Sequence, residues 1–141
     1  MNTGRTITFL IVGAFAGAAA MVGTATAAQA ATNPCGSSYA LVDTYAIPAS
    51  GPRKGNVELY WSGSERRNCA VTNVEGADRG ALNYVGVSIG RSSTGFNDDA
   101  DQGNYKYYAG PVKTKAGVAA GCLDIHANVN SAKRDLYRVH C

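Results

Sequence analysis

Val57-Glu58-Leu59-Tyr60-Trp61-Ser62-Gly63-Ser64-Glu65-Arg66-Arg67-Asn68-Cys69-Ala70-Val71-Thr72-Asn73-Val74 decides the fold. Its first five residues alternate. In a strand they place Val57, Leu59 and Trp61 on one face and Glu58 and Tyr60 on the other. The polar turn Ser62–Arg67 follows, and a second run rich in β-branched residues begins at Cys69. This reads as an antiparallel hairpin. Working outward, Tyr39–Ile47 is a strand ended by Pro48, and the loop Ala49–Gly55 precedes the hairpin. Downstream, Ala81–Ile89 carries Val85, Val87 and Ile89 in phase. A polar loop spans Gly90–Gly103, and Tyr105–Tyr108 is a short strand stopped at Gly110-Pro111. Val112–Val118 is an ambiguous sixth segment. Leu123–Ala127 and Leu136–His140 complete the set. No window in this part sustains the i, i+3, i+4, i+7 apolar spacing of a helix. The expectation is an all-β domain, a small disulfide-stapled antiparallel sandwich or barrel. A β-trefoil is excluded because no threefold repeat is present.

The chain has 141 residues, enough for one domain. Its N-terminus has the form of an export signal: a short start with Arg5, an apolar stretch from Ile7 to Val22, then small residues through Ala30. Ala28-Gln29-Ala30 fits a cleavage site after Ala30, and Ala25-Thr26-Ala27 offers an alternative one. The competing reading, an uncleaved membrane anchor, sits near the lower limit of spanning length and lacks stop-transfer charges. The expected organisation is a signal peptide at 1–30 and a single secreted domain at 31–141. The mature part carries twelve Lys and Arg against ten Asp and Glu. That near balance argues against nucleic-acid binding. No later segment is apolar enough for a membrane.

Cys35, Cys69, Cys122 and Cys141 are an even set in an exported chain, which reads as two disulfides. None forms a C-x-x-C pair, so a zinc ribbon or a redox site is disfavoured. Three connectivities are possible. If Leu123–Ala127 pairs antiparallel with Leu136–His140, the flanking Cys122 and Cys141 fall opposite one another. Cys35 then joins Cys69.

Several residue groups invite a chemical reading. His126 and His140 are the only histidines, with Asp124 close to His126 in sequence. The same antiparallel register sets His126 opposite Tyr137 and His140 opposite Leu123, on different faces. Neither a metal site nor a catalytic centre is expected, and no cofactor. No serine sits in G-x-S-x-G. Asn97, Asp99 and Asp101 have calcium-loop spacing, but Gly103 falls one place late and Tyr108 stands where the bidentate glutamate belongs. The expected form is an acidic, solvated hairpin loop. Of the aromatics, Trp61 is assigned to the core. Tyr60, Tyr105, Tyr107 and Tyr108 are candidates for stacking on a ligand. Tyr60 and Trp61 point to opposite faces, so one is the wetter of the two.

Cys35-Gly36-Ser37-Ser38-Tyr39, Leu59-Tyr60-Trp61 and Asn68-Cys69-Ala70-Val71-Thr72, taken with Gly103-Asn104-Tyr105-Lys106-Tyr107-Tyr108-Ala109-Gly110-Pro111-Val112, carry a resemblance. With Gly121-Cys122-Leu123 and His140-Cys141 they resemble, in the same order, the actinobacterial secreted family of spore-associated protein A. The Tyr-Tyr-Ala-Gly-Pro-Val run is its most specific part. Asp124-Ile125-His126-Ala127-Asn128 departs from the family's turn after that cysteine. The resemblance implies a small secreted protein associated with spore or aerial-hypha surfaces, and it brings no catalytic residues.

The functional expectation is therefore a non-enzymatic, extracellular protein held at the spore or cell surface, with a wall or spore-surface polymer as its partner. A carbohydrate- or wall-binding module is the alternative. A wall hydrolase built on His126, or a protease inhibitor using the Ala49–Gly55 loop, stands further back.

Overall fold

Backbone pairing between residues 40 and 139 builds two antiparallel sheets that face each other across an apolar layer. The structure, a computed structural model, describes residues 33–93, 98–116 and 121–141. The expected signal peptide, Asn97 and the end of the ambiguous sixth segment lie outside the described residues. The strands are β1 (Ala40–Ile47), β2 (Gly55–Ser62), β3 (Arg67–Val74), β4 (Asn83–Arg91), β5 (Asp99–Tyr105), β6 (Tyr108–Lys113), β7 (Leu123–Val129) and β8 (Ala132–Val139). The first sheet has the order β1-β2-β3-β6 and the second β5-β4-β7-β8. This is an all-β antiparallel sandwich.

The hairpin expected over Val57–Val74 is β2–β3, with Val57 opposite Thr72 and Leu59 opposite Ala70. In its turn, Arg66 takes φ 51 and Ser62 Oγ accepts the Glu65 N–H at 3.2 Å. One face of the first sheet packs Ile47, Val57, Leu59, Ala70 and Val74 against Val85, Val87, Ile89, Ile125 and Ala127 of the second. Most of these side chains are fully excluded from solvent, and burying each aliphatic one contributes about 1.5–3 kcal/mol.

The two lateral openings between the sheets are closed by side chains. At the β5/β6 side, Asp101 Oδ2 accepts the Gly110 N–H at 2.7 Å and Asp99 Oδ2 accepts the Lys113 N–H at 2.9 Å. At the β1/β8 side, Arg134 lies over the Tyr45 ring at 6.0 Å and His140 Nε2 stands 3.5 Å from Asp43 Oδ2. The disulfides are Cys35–Cys69 and Cys122–Cys141, the pairing expected from the sequence.

The first bridge adds a third layer. It ties the segment before β1 onto the outward face of the first sheet. There Cys35, Tyr39, Tyr60, Cys69 and Val71 form a second buried cluster. This is why β2 and β3 are buried on both faces, although the first sheet has only one sheet partner.

Four expectations are corrected. Trp61 is in phase with Val57 and Leu59, but it stands at the strand's end, past the core. It is only half-buried and lines a pocket of about 260 Å³ with Val42, Leu123 and His140. The polar loop Gly90–Gly103 is not a loop throughout, because Asp99–Tyr105 is β5 and pairs residue for residue with β4. The β4 edge supplies the ladder partners, and the aspartates brace the new strand to β6. Pro111 does not stop a strand: β6 runs through it as an edge strand, where a missing N–H is tolerated. Gly110 takes φ 98 there, and the β3–β6 register slips between Ala70 and Thr72. Finally, the β7–β8 register contains a bulge. Leu123 pairs with Val139 but Ile125 with Leu136, so two β8 residues oppose Asp124 alone. Arg138, at φ 53, is the extra residue, and its N–H is held by Asp124 Oδ1 at 2.9 Å. Leu123 itself meets Val139, not His140, so with the bulge the register moves by two residues and His126 faces Asp135, not Tyr137.

Candidate ligand-binding groove

The outward face of the first sheet carries the side chains that alternate away from the core. Asn56, Glu58 and Tyr60 stand along β2. Asn73 lies across from Asn56, and Tyr108 on β6 lies across from Asn73. The stapled segment at Asn33 and Pro34 forms one wall. The Glu75–Arg79 loop, with a 3-10 turn at Gly76–Asp78, forms the other. Between them lies a cleft of about 600 Å³. A second hollow of about 390 Å³, lined by Asp101, Tyr105, Lys106, Tyr107 and Gly110, shares Tyr108 with the first. Tyr108 therefore borders both hollows.

The polar groups on the cleft floor are ordered by a relay. Asn73 Nδ2 donates to Asn56 Oδ1 at 3.0 Å, Asn56 Nδ2 donates to Glu75 Oε1 at 2.5 Å, and Arg53 pairs with Glu75 Oε2 at 2.5 Å. Glu75 is thus neutralised. Glu58 is different: its Oε2 accepts the Tyr60 hydroxyl at 2.6 Å. Burial, then the hydrogen bond to Glu58 and that carboxylate's charge, push the Tyr60 phenol far above its ordinary range. Tyr60 stays a neutral donor to the Glu58 carboxylate, which faces the cleft.

The aromatics expected to meet a ligand separate into two kinds. Tyr107 and Tyr108 are 50% and 44% exposed. The Arg79 guanidinium holds the Tyr107 ring at 5.2 Å while donating to the Val74 carbonyl at 3.1 Å. Tyr105 is half-buried and donates its hydroxyl to Asp101 Oδ1 at 2.7 Å. Tyr60 is only 8% exposed: its ring belongs to the cluster around the Cys35–Cys69 bridge and also lines the cleft. Sequence alternation had placed Tyr60 outward correctly, but it gave no sign of the covering segment. The side-chain amides and the ion-paired Glu75 carry no sequence signal, because Asn56, Asn73 and Glu75 have no motif spacing.

The remaining candidates are held elsewhere. His126 contacts Asp135 through Nδ1 on the solvent face of the second sheet, and His140 lies beside Asp43 at the lateral edge. The two histidines do not converge. Asp124 accepts Ser92 Oγ at 2.5 Å and the Arg138 N–H, so it braces the bulge. Asp99 and Asp101 are spent on β6, and Asp98 Oδ2 accepts the Lys115 N–H at 3.3 Å. Among the described residues, no three His, Cys, Asp or Glu are grouped to hold a metal ion. The Ala49–Gly55 loop is exposed at its tip, but its cations are tied down, Arg53 to Glu75 and Lys54 to Asp78 at 2.9 Å.

No family model matches the chain, and no solved structure matches it significantly. Among curated proteins, it is similar to Spore-associated protein A of Streptomyces coelicolor, 36% identical over 100 residues. The aligned part is 70% of this chain and 59% of that protein, so the chain spans less than two thirds of the relative's length. At that identity over 70% of its length, the chain belongs to the spore-associated protein A-like family.

Proposed function

We propose that this is an exported, non-enzymatic protein that associates with the spore or cell surface by holding a wall or spore-surface polymer in the groove around Tyr108. The observation that carries this reading is one exposed tyrosine bordering two hollows, with Tyr107 beside it. A polymer suits two open hollows, whereas a small molecule is better matched by a closed pocket. Exposed tyrosine rings offer flat apolar faces with polar rims, the surface that sugar rings stack on. Two disulfides and the relative's name support a place outside the cytoplasm. The signal-like leader supports export.

Co-sedimentation with purified cell wall and with spore-surface material tests the reading. The wild type is expected to sediment with one of them, and the Tyr107→Ala/Tyr108→Ala pair to lose at least about five-fold in retention. Equal retention of the two proteins counts against the groove. The non-enzymatic half is tested by incubation with peptidoglycan, reading reducing ends and free amino groups. No release is expected. Turnover that vanishes in a His126→Gln/His140→Gln variant would overturn it.

A further inference from the structure

We infer that the larger cleft selects amino sugars with a free, protonated amine, and that Glu58 is the residue that receives the ammonium group. The inference rests on the polymer-binding reading and deepens it by naming the ligand class. Its basis is the uneven charge bookkeeping of the cleft. Glu75 has Arg53, but among the described residues no Lys, Arg or His forms an ion pair with Glu58. Tyr60 holds the Glu58 carboxylate in place with a hydroxyl that does not ionise in the physiological range. A positioned carboxylate with one hydrogen bond has acceptor capacity left, since the ionised group offers about four lone-pair sites. A primary ammonium, with three donors, is its complement.

The neighbouring groups narrow the class further. The amide relay runs in one direction, Asn73 to Asn56 to Glu75, and leaves Asn73 Oδ1 as a further acceptor on the cleft floor. Arg79 also lines the cleft, but its guanidinium is engaged by the Val74 carbonyl and the Tyr107 ring, so Glu58 and Asn73 Oδ1 are left as acceptors for a ligand presenting hydroxyls together with its amine. Tyr108, at the end of the same row, presents an exposed ring for stacking. An N-deacetylated hexosamine unit in a glycan chain meets all three demands. A lysine-like side chain of a peptide meets only the first. The attraction is local, because the chain as a whole is net positive at +3 and repels a polycation at long range.

Calorimetric titration of the mature protein at pH 6 with three probes tests this: a glucosamine tetramer, an N-acetylglucosamine tetramer and tri-lysine. The glucosamine tetramer is expected to bind at least about tenfold more tightly than either of the others. Glu58→Gln keeps an acceptor for Tyr60 and removes the charge. It is expected to lose about tenfold for the glucosamine tetramer and nothing for the N-acetylated one. Tyr60→Phe, which frees the carboxylate to rotate, is expected to weaken the same probe by a smaller factor. Unfolding curves for both variants exclude a loss of fold as the cause. Equal binding of the two tetramers, or an unchanged Glu58→Gln variant, overturns the amine selection while leaving polymer binding in place. Preference for tri-lysine overturns it in favour of peptide. If no saccharide binds and wall retention also fails, the polymer reading itself falls.

Discussion

Removing the Cys35–Cys69 bridge by a paired Cys35→Ala/Cys69→Ala replacement tests the third layer directly. The bridge closes 34 residues and Cys122–Cys141 closes 19. In the chain-entropy model these loops contribute about 4 and about 3 kcal/mol. A domain of this size has about 5–15 kcal/mol in all, so either loss is large, and the first is the larger. It also carries an additional packing cost. Cys35 and Cys69 stand among Tyr39, Tyr60 and Val71, and without the bridge the segment at 33–39 keeps only side-chain contacts. Those contacts include the Tyr39 hydroxyl on Glu65 at 2.7 Å, the Ser38 hydroxyl on Glu65 at 2.8 Å and Lys113 over the Tyr39 ring at 4.4 Å. Urea unfolding followed by Trp61 fluorescence measures the effect, with m-values compared to show that the same transition is being read. The expected outcome is a loss of about 4 kcal/mol or somewhat more, with faster amide exchange concentrated in residues 33–39. Retention on wall material should fall as well, because Asn33 and Pro34 no longer wall the cleft. A loss below about 1 kcal/mol, or a larger loss in the matching Cys122/Cys141 variant, refutes the argument that the stapled segment is an integral layer.

Leu59→Ala is expected to cost about 2–5 kcal/mol, because it empties a fully buried site, while half-buried Trp61→Ala costs about 1–2 kcal/mol; thermal or urea unfolding that reverses this order would return Trp61 to the core. Gly110→Ala is expected to destabilise by at least about 1–2 kcal/mol, since φ is 98 and an added Cβ would lie 2.9 Å from the Ala70 carbonyl oxygen; unfolding at the wild-type midpoint would show that β6 adapts. The alkaline limb follows from the tyrosines. Burial and the partner carboxylates push Tyr39 and Tyr45 up to about 12, and Tyr60 higher still. These raised values lend stability that is complete below about pH 10, where the unfolded phenols are also protonated, and that is lost as pH rises through the folded values. Melting temperature should therefore be level from pH 8 to about 10 and then fall, by up to about 1.4 kcal/mol per pH unit for each tyrosine involved. A steady melting temperature to pH 12 would contradict those environments.

The fold was legible wherever a strand has one apolar phase. Val57 and Leu59, or Val85, Val87 and Ile89, announce both the strand and its inward face, because burial imposes a period of two. β5 was not legible. Asp-Ala-Asp-Gln-Gly-Asn-Tyr has no apolar phase, and it becomes a strand only because β4 has an unmatched edge and β6 lies near enough for Asp99 and Asp101 to reach its N–H groups. The bulge at Arg138 was illegible for a similar reason. The Cys122–Cys141 bridge fixes the ends of β7 and β8 but not the number of residues between: Leu123 meets Val139 and not His140, the bulge at Arg138 adds a second step, and His126 moves from Tyr137 to Asp135.

The groove shows why a binding face resists reading from sequence more than a core does. Asn56, Glu58 and Tyr60 fall on the polar phase of β2, and a polar phase usually means open solvent. Here that face is roofed at one side by a segment more than twenty residues away, brought there by a disulfide whose separation says nothing about what it covers. The roof changes the chemistry of the floor. It buries Tyr60, which raises its phenol and fixes it as a donor to Glu58. It also leaves Asn56 almost buried, so that its amide must find partners in Asn73 and Glu75. A surface row thus becomes an ordered set of acceptors with one uncompensated charge. The Tyr-Tyr-Ala-Gly-Pro-Val run owes its specificity to the same place. Ala109 and Val112 are buried, Gly110 has no room for a Cβ beside Ala70, and the pair of tyrosines ahead of them is set at the groove's rim. The segment that read as one strand, Tyr105–Tyr108, is instead the end of β5, a bend at Lys106–Tyr107 and the start of β6, and the packing of Ala109 and Val112 fixes where Tyr108 stands.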